Sequence, residues 1–243
     1  MGAGAQSFES LSQRLALLAK RKQKVAGAVI AASVLALAGC AMGGVSPSAS
    51  TSNPTPSTPI TTQSFASQPD GSFLFSTNDS GNKGQTFVQY TASSTTSGFT
   101  YTAVVSKASG QPGGGFGLVF QRQDNSNFWF VNIDTQGSYT VEKMVNGTLM
   151  SVTSSGSTTW VSSPLLRTGN GVTNTLSIIF DPVVGYTFSA NGTVILPFTD
   201  TGMGAVYTSG SLGFDVGVLS TENFPDQAVS VTFNVTNPTA LTW

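Results

Sequence analysis

From Asp70 onward, apolar and polar positions alternate in short runs rich in Phe, Val, Tyr, Thr and Ile, broken by Gly and Asn, and no stretch sustains a helical period. The pattern predicts thirteen strands, at 73–76, 85–91, 99–107, 115–123, 128–134, 139–145, 149–154, 160–163, 174–181, 186–190, 193–198, 211–218 and 229–235. Asn146-Gly147 and Asn191-Gly192 each sit between two alternating runs. Asn-Gly is a strong hairpin signal because both central residues must take positive φ. A chain of antiparallel hairpins this long must protect its edges, as a two-sheet sandwich or as a barrel. Phe128-Trp129-Phe130-Val131 and Leu176-Ser177-Ile178-Ile179-Phe180 are apolar on both sides, which suits a strand covered on both faces and favours the sandwich over a membrane barrel.

The pattern changes upstream. Residues 41 to 67 are mainly Ser, Thr, Pro, Gly and Ala with almost no large apolar residue until Phe65, too little apolar surface to offset the entropy of ordering, so they predict a tether. Before them, Lys20-Arg21-Lys22-Gln23-Lys24 precedes the apolar run Val25–Gly39 and then Cys40. A basic cluster followed by a short apolar run has the layout of a secretory leader. Fifteen residues make a helix of about 22 Å, short of the roughly 20 residues that a bilayer span needs. Leu37-Ala38-Gly39-Cys40 resembles the bacterial lipobox, which implies cleavage before Cys40 and acylation of its thiol and new amino terminus. The expected organisation is a signal peptide over 1–39, lipidated Cys40 with a linker over 40–67, and one β-domain over 68–243, placed at the cell envelope on the extracytoplasmic side, in an outer membrane or at the cell surface.

Charge narrows the partners. Past residue 39 the chain keeps five basic residues, Lys83, Lys107, Arg122, Lys143 and Arg167, against ten acidic ones, so no basic surface remains for nucleic acid. Charged residues are 9% of the whole chain, against roughly 25% in an average soluble domain, so hydroxyls and amides must form much of the surface. The one cysteine excludes an intramolecular disulfide.

Gly115-Phe116-Gly117-Leu118-Val119-Phe120-Gln121-Arg122, the Asp124-Asn125-Ser126-Asn127 turn and Phe128-Trp129-Phe130 resemble the central hairpin of concanavalin A-like (laminin G-like) jelly-roll domains. The segments 137–147, 176–180, 186–198 and 210–214 follow the order of that family's later strands. The resemblance implies an all-β, two-sheet antiparallel jelly-roll sandwich. Members of such families bind carbohydrate, bind protein or hydrolyse glycosidic bonds, and a fold alone does not choose among these.

Chemistry in the chain is sparse. The absence of His removes Ser-His-Asp and Cys-His catalysis and all imidazole metal ligation. Hydrolytic relatives carry a Glu-x-Asp-x-x-Glu run, and neither Glu142 nor Glu222 has that company, so the reading leans away from an enzyme; a pairing of Asp124 with Asp134 is the hydrolytic alternative. Asp124, Asn125 and Asn127 cluster in one turn and are the candidate ligands of a calcium ion, although turn chemistry explains the same cluster. Alternation puts Phe116, Leu118 and Phe120 on one side of their strand. With the Phe and Leu triplets as core, Gln121, Gln123 and Trp129 share the outer face, a platform for a sugar ring with Tyr139 and Tyr101 nearby; Trp129 tucked under a loop is the competing placement. These readings converge on a lipid-anchored, non-catalytic carbohydrate-binding or adhesive module whose partners are the membrane and a polysaccharide or surface glycan. A self-associating structural envelope protein is the alternative.

Overall fold

Both Asn-Gly pairs close tight hairpins, with Asn146 and Gly147 at φ 49° and 75° and Asn191 and Gly192 at φ 52° and 81°. The computed structural model describes residues 65–95, 98–153, 159–236 and 239–240. The expected leader, Cys40 and the expected linker up to residue 64 lie outside the described residues. In chain order the strands are β1 (Ala66–Ser67), β2 (Phe73–Thr77), β3 (Thr86–Thr95), β4 (Phe99–Ser109), β5 (Phe116–Asp124), β6 (Asn127–Ile133), β7 (Ser138–Val145) and β8 (Thr148–Ser151). There follow β9 (Val161–Ser162), β10 (Thr173–Asp181), β11 (Gly185–Ala190), β12 (Thr193–Phe198), β13 (Gly210–Gly217), β14 (Val229–Val235) and β15 (Thr239–Ala240). All thirteen expected strands are present; the two-residue β1 and β15 were too short to leave a periodic signal.

The strands form two antiparallel sheets. One runs β1-β2-β14-β4-β10-β11-β12 with β15 also on β4, and the other runs β3-β13-β5-β6-β7-β8 with β9 also on β7. Strands distant in sequence lie side by side, as β13 does between β3 and β5, and the result is the two-sheet jelly-roll sandwich. Between the sheets lies a core rich in aromatic rings. Tyr101, Val105, Ile178, Phe188, Val231 and Phe233 from the eight-stranded sheet face Phe87, Phe116, Leu118, Phe120, Val131 and Phe214 from the seven-stranded one. Phe65, just ahead of β1, is buried among Phe75, Phe214 and Phe233, with ring centroids 5.2, 5.0 and 6.0 Å away. It fixes the point at which the chain enters the sandwich.

On the outer face of the seven-stranded sheet a second apolar cluster joins Val88, Val119, Phe128, Phe130 and Met144, with Tyr90 and Leu149 against it. The sheet is therefore lined with apolar side chains on both sides over part of its area, as the doubly apolar Phe128–Val131 run requires.

Candidate functional site

The expected sugar platform does not form, because the β5–β6 register differs from the one that alternation alone suggests. Phe120 pairs with Trp129, Leu118 with Val131 and Phe116 with Ile133, and the register shifts between Phe120 and Asp124. Gln121, at φ 49°, takes up that irregularity. A one-residue slip exchanges the two faces of a strand. Trp129 is thus 0% exposed and faces the interior, its ring parallel to Phe120 and tilted against Tyr186 and Phe198. Phe128 and Phe130, assigned to the core by alternation, lie on the outer face instead. Gln121 is buried and accepts a hydrogen bond from the Tyr186 hydroxyl. Tyr101 donates to the Gly213 carbonyl inside the core at 2.9 Å, and Tyr139 packs on Phe188. Of the expected ligand-binding residues only Gln123 is exposed, and its amide is spent on the carbonyls of Gln121 and Ser209.

What the outer face does present is a polar row one register step away from the apolar cluster. Asp215 on β13 pairs with Gly117 on β5, Gly117 with Asn132 on β6, and Asn132 with Thr140 on β7. Gly117 has no side chain, and a Cβ there would stand 2.6 Å from Asn132 Oδ1 and 1.8 Å from the Val131 carbonyl oxygen. Across this gap Asn132 Nδ2 donates to Asp215 Oδ2 at 2.9 Å. Two acceptors remain: Asn132 Oδ1 and Asp215 Oδ1 have no hydrogen-bond partner among the described residues, although the side chains are only 8% and 3% exposed. Buried polar atoms are nearly always paired, and these two stand out with Tyr90 Oη, Gln121 Nε2, Arg122 Nε and Trp129 Nε1, which are likewise buried without a partner.

Glu142, on the same face two residues along β7 from Thr140, completes the group. Burial pushes its carboxyl up to about 7, opposed by the hydroxyls of Thr159 and Thr140. Burial likewise pushes Asp215 up to about 7, against the pull of the Asn132 amide and with a further upward push from Glu142. No basic side chain contributes to either shift. Trp160, partly exposed, closes one end: its ring lies against Gly115, where a Cβ would come within 2.9 Å of it and 3.4 Å of the Asn132 Cβ. At the far end Arg122 stacks 3.8 Å over the Tyr90 ring.

The other candidates are absorbed by the fold. Asp124 Oδ1 accepts from the Ser126 and Asn127 nitrogens, Asn125 Oδ1 from Arg122, and Asn127 Oδ1 from the Asn146 amide and the Tyr207 hydroxyl. Calcium takes six to eight oxygen ligands, and one carboxylate beside two amides already turned to local donors does not fit that demand. Asp134 caps the opposite end of β6 through Gln136 and Ser138, so the length of the strand, roughly 20 Å at about 3.3 Å per residue, separates it from Asp124 and rules out concerted acid and base work. Glu222 is buried and holds the Gln111 amide.

Alternation missed Asp215 and Asn132. The signal that marks them is a lone acid or amide inside an otherwise apolar strand, as in Leu212-Gly213-Phe214-Asp215-Val216 and Phe130-Val131-Asn132-Ile133.

No family model matches the chain, and no curated protein matches it. Solved structures do. It is similar to the carbohydrate binding module CBM66 from Bacillus subtilis, with 16% identity over 64% of this chain and 82% of that one and a TM-score of 0.49. It is also similar to a Bacillus subtilis protein of unknown function with a galectin-like fold, with 18% identity over 71% of this chain and 85% of the other at a TM-score of 0.47. A glycosidic hydrolase matches at 14% identity over 70% of this chain and 80% of its own length, with a TM-score of 0.46.

Proposed function

We propose that the domain is a non-catalytic glycan-binding module that takes its ligand on the polar row of the seven-stranded sheet, and that lipid on Cys40 holds it to a cell envelope. The observation that carries the first part is the pair of unpartnered acceptors, Asn132 Oδ1 and Asp215 Oδ1. A buried acceptor without a donor costs about 1–3 kcal/mol, which a ligand hydroxyl arriving there would return. Neighbouring hydroxyls of a sugar ring offer two such donors together. The partly exposed Trp160 ring supplies the apolar surface that pyranose binding uses, while the buried Thr140 hydroxyl is engaged with Thr153.

Hydrolysis is the second reading, because Glu142 and Asp215 share a face and burial raises both carboxyls above the ordinary range. It is disfavoured by the register. Asn132 and Thr140 stand between the two carboxyls, where an acid pair would need room for the glycosidic oxygen and a water.

A glycan array probed with the full chain tests the main reading. Binding to at least one glycan, weakened about tenfold or more by Asn132→Ala, is the expected result, in line with the loss of one well-placed hydrogen bond. Absence of binding to any glycan sinks it, and release of reducing sugar abolished by Glu142→Gln would move the assignment to hydrolysis. For the anchor, mass spectrometry of the protein extracted from its native membranes should find a chain that begins at Cys40 and carries acyl mass. A free thiol behind an intact leader would overturn that part.

A further inference from the structure

Asp215 and Asn132 share one hydrogen bond where their chemistry allows two. Asn132 Nδ2 donates to Asp215 Oδ2 at 2.9 Å, and the second oxygen of each side chain has no partner among the described residues, although both side chains are more than nine-tenths buried. Among those residues no base answers the carboxyl. β3 sets Val88 opposite Asp215 and carries Tyr90 two residues on; β5 sets Gly117 opposite it and carries Arg122, which lies on the Tyr90 ring; β6 supplies Asn132 beyond Gly117. Glu142 stands farther off, on β7, with β5 and β6 between. The one ion pair, Lys143 with Asp200, faces the interior. As a carboxylate, Asp215 therefore leaves a buried charge without a partner and two neighbouring acceptors without a donor. A single proton on Asp215 Oδ1 removes both faults, because a carboxylic acid and a primary amide each present one donor beside one acceptor.

We infer that one proton gates the glycan site: protonated Asp215 donates to Asn132 Oδ1 and closes the pair on itself, and loss of that proton to solvent opens both acceptors to the hydroxyls of a sugar. The gate rests on the glycan reading above and adds its regulation. In the closed form the two side chains satisfy each other and offer a ligand nothing. In the open form the bond from Asn132 Nδ2 to Asp215 Oδ2 stays, and ligand hydroxyls donate to Asp215 Oδ1 and Asn132 Oδ1. Proton and sugar thus compete for the same atoms, so affinity rises with pH and each binding event expels part of a proton. Burial pushes Asp215 up to about 7 against the pull of the Asn132 amide, which puts the changeover near neutrality. Burial raises Glu142 to about 7 as well, but the hydroxyls of Thr159 and Thr140 serve that carboxyl, and its titration leaves the Asn132 and Asp215 acceptors as they were.

The test is calorimetric titration of the full chain in buffers of two ionisation enthalpies. Cellohexaose, xylohexaose, mannohexaose and the strongest neutral glycan from the array serve as probes, since none of them titrates in this range. With only the deprotonated fraction competent, affinity should rise about tenfold between about pH 6 and pH 8, with roughly half a proton released at about pH 7. Asp215→Asn puts an amide where the acid stood, donates to Asn132 Oδ1 at every pH, and should bind weakly and within about twofold equally across that range; Glu142→Gln should keep the tenfold rise. A flat profile in the parent, a rise that survives Asp215→Asn, or a rise lost in Glu142→Gln overturns the gate and leaves a sugar-binding face. The carboxyl carbon chemical shift of Asp215 in the unliganded protein gives a readout that needs neither a variant nor a sugar. A midpoint near neutrality is the expected result, and one below about 5, the range of ordinary carboxyls, overturns the gate. Titration near neutrality with no probe bound at any pH overturns the glycan reading, and the gate falls with it.

Discussion

Gly117 holds the polar row open. A methyl group at that position meets the Val131 carbonyl at 1.8 Å, backbone that has no room to retreat within a paired sheet. Gly117→Ala should destabilise the domain by about 3 kcal/mol, at the upper end of overpacking costs, measured by urea denaturation. Trp129 predicts the opposite kind of surprise for anyone treating it as a binding residue: Trp129→Ala should lower stability by about 3–5 kcal/mol through lost core, since its ring touches Phe120, Tyr186 and Phe198. Asp215 and Glu142 give stability a pH signature. Both carboxyls are raised in the folded state above ordinary values of 3.8 and 4.5, so their favourable contribution is complete below about 4 and is lost as pH rises through about 7. Asp215→Asn removes part of that loss. Its stability relative to the parent should improve on going from acid to mildly alkaline buffer by an amount on the order of a few kcal/mol, read from paired denaturant curves. At this scale the sequence was a partial guide. Residue types were plain to see, but which face Trp129 and Gln121 occupy depended on the irregularity after Phe120, and alternation carries no information about such a shift.

The hairpins and their turns were the most legible layer, because Asn-Gly and period-two runs are local signals that tertiary packing did not override. Gly192 has open space around it and φ at 81°, so Gly192→Ala should cost about 1–2 kcal/mol from backbone strain alone, without any steric clash. The connection from β12 to β13 is tied down differently. Asp200 pairs with the fully buried Lys143 of β7, whose ammonium also reaches the Ala205 carbonyl and the Trp129 and Tyr207 rings. Asp200→Ala would strand that ammonium and should cost about 3–5 kcal/mol, most of it restored when Lys143→Met is added. Nothing local in the sequence links positions 143 and 200; the contact exists because β6 and β7 bring Trp129 and Lys143 into register beneath that loop.

For the whole molecule, the two-sheet sandwich followed from strand count, turn chemistry and the doubly apolar runs, whereas the order of strands within each sheet did not, since β13 reaches its partners β3 and β5 from far along the chain. The end of the sandwich near Gly110–Gly115 is pinned by the Lys107 ammonium, with the carboxylates of Glu222 and Asp134 acting on it at longer range. With that cation covalently built in and the Asp124 turn committed to its own donors, thermal unfolding of the domain should be unchanged, within about a degree, between chelator and millimolar calcium. A clear rise of the midpoint with calcium would show a site that this reading lacks.

The burial of Phe65 has a mechanical side. The chain enters through the eight-stranded sheet, by way of a two-residue strand, while Asp215 and Asn132 sit on the outside of the opposite sheet. On the proposed reading, with a polymer bound on that face and the chain held at Cys40, tension between the two would cross the thickness of the body. The contacts that such tension would load first are the two-residue pairing of Ala66 and Ser67 with Leu74 and Phe73 and the packing of Phe65 against Phe75 and Phe214. On that reading, giving way there would lengthen the connection while leaving the opposite sheet intact.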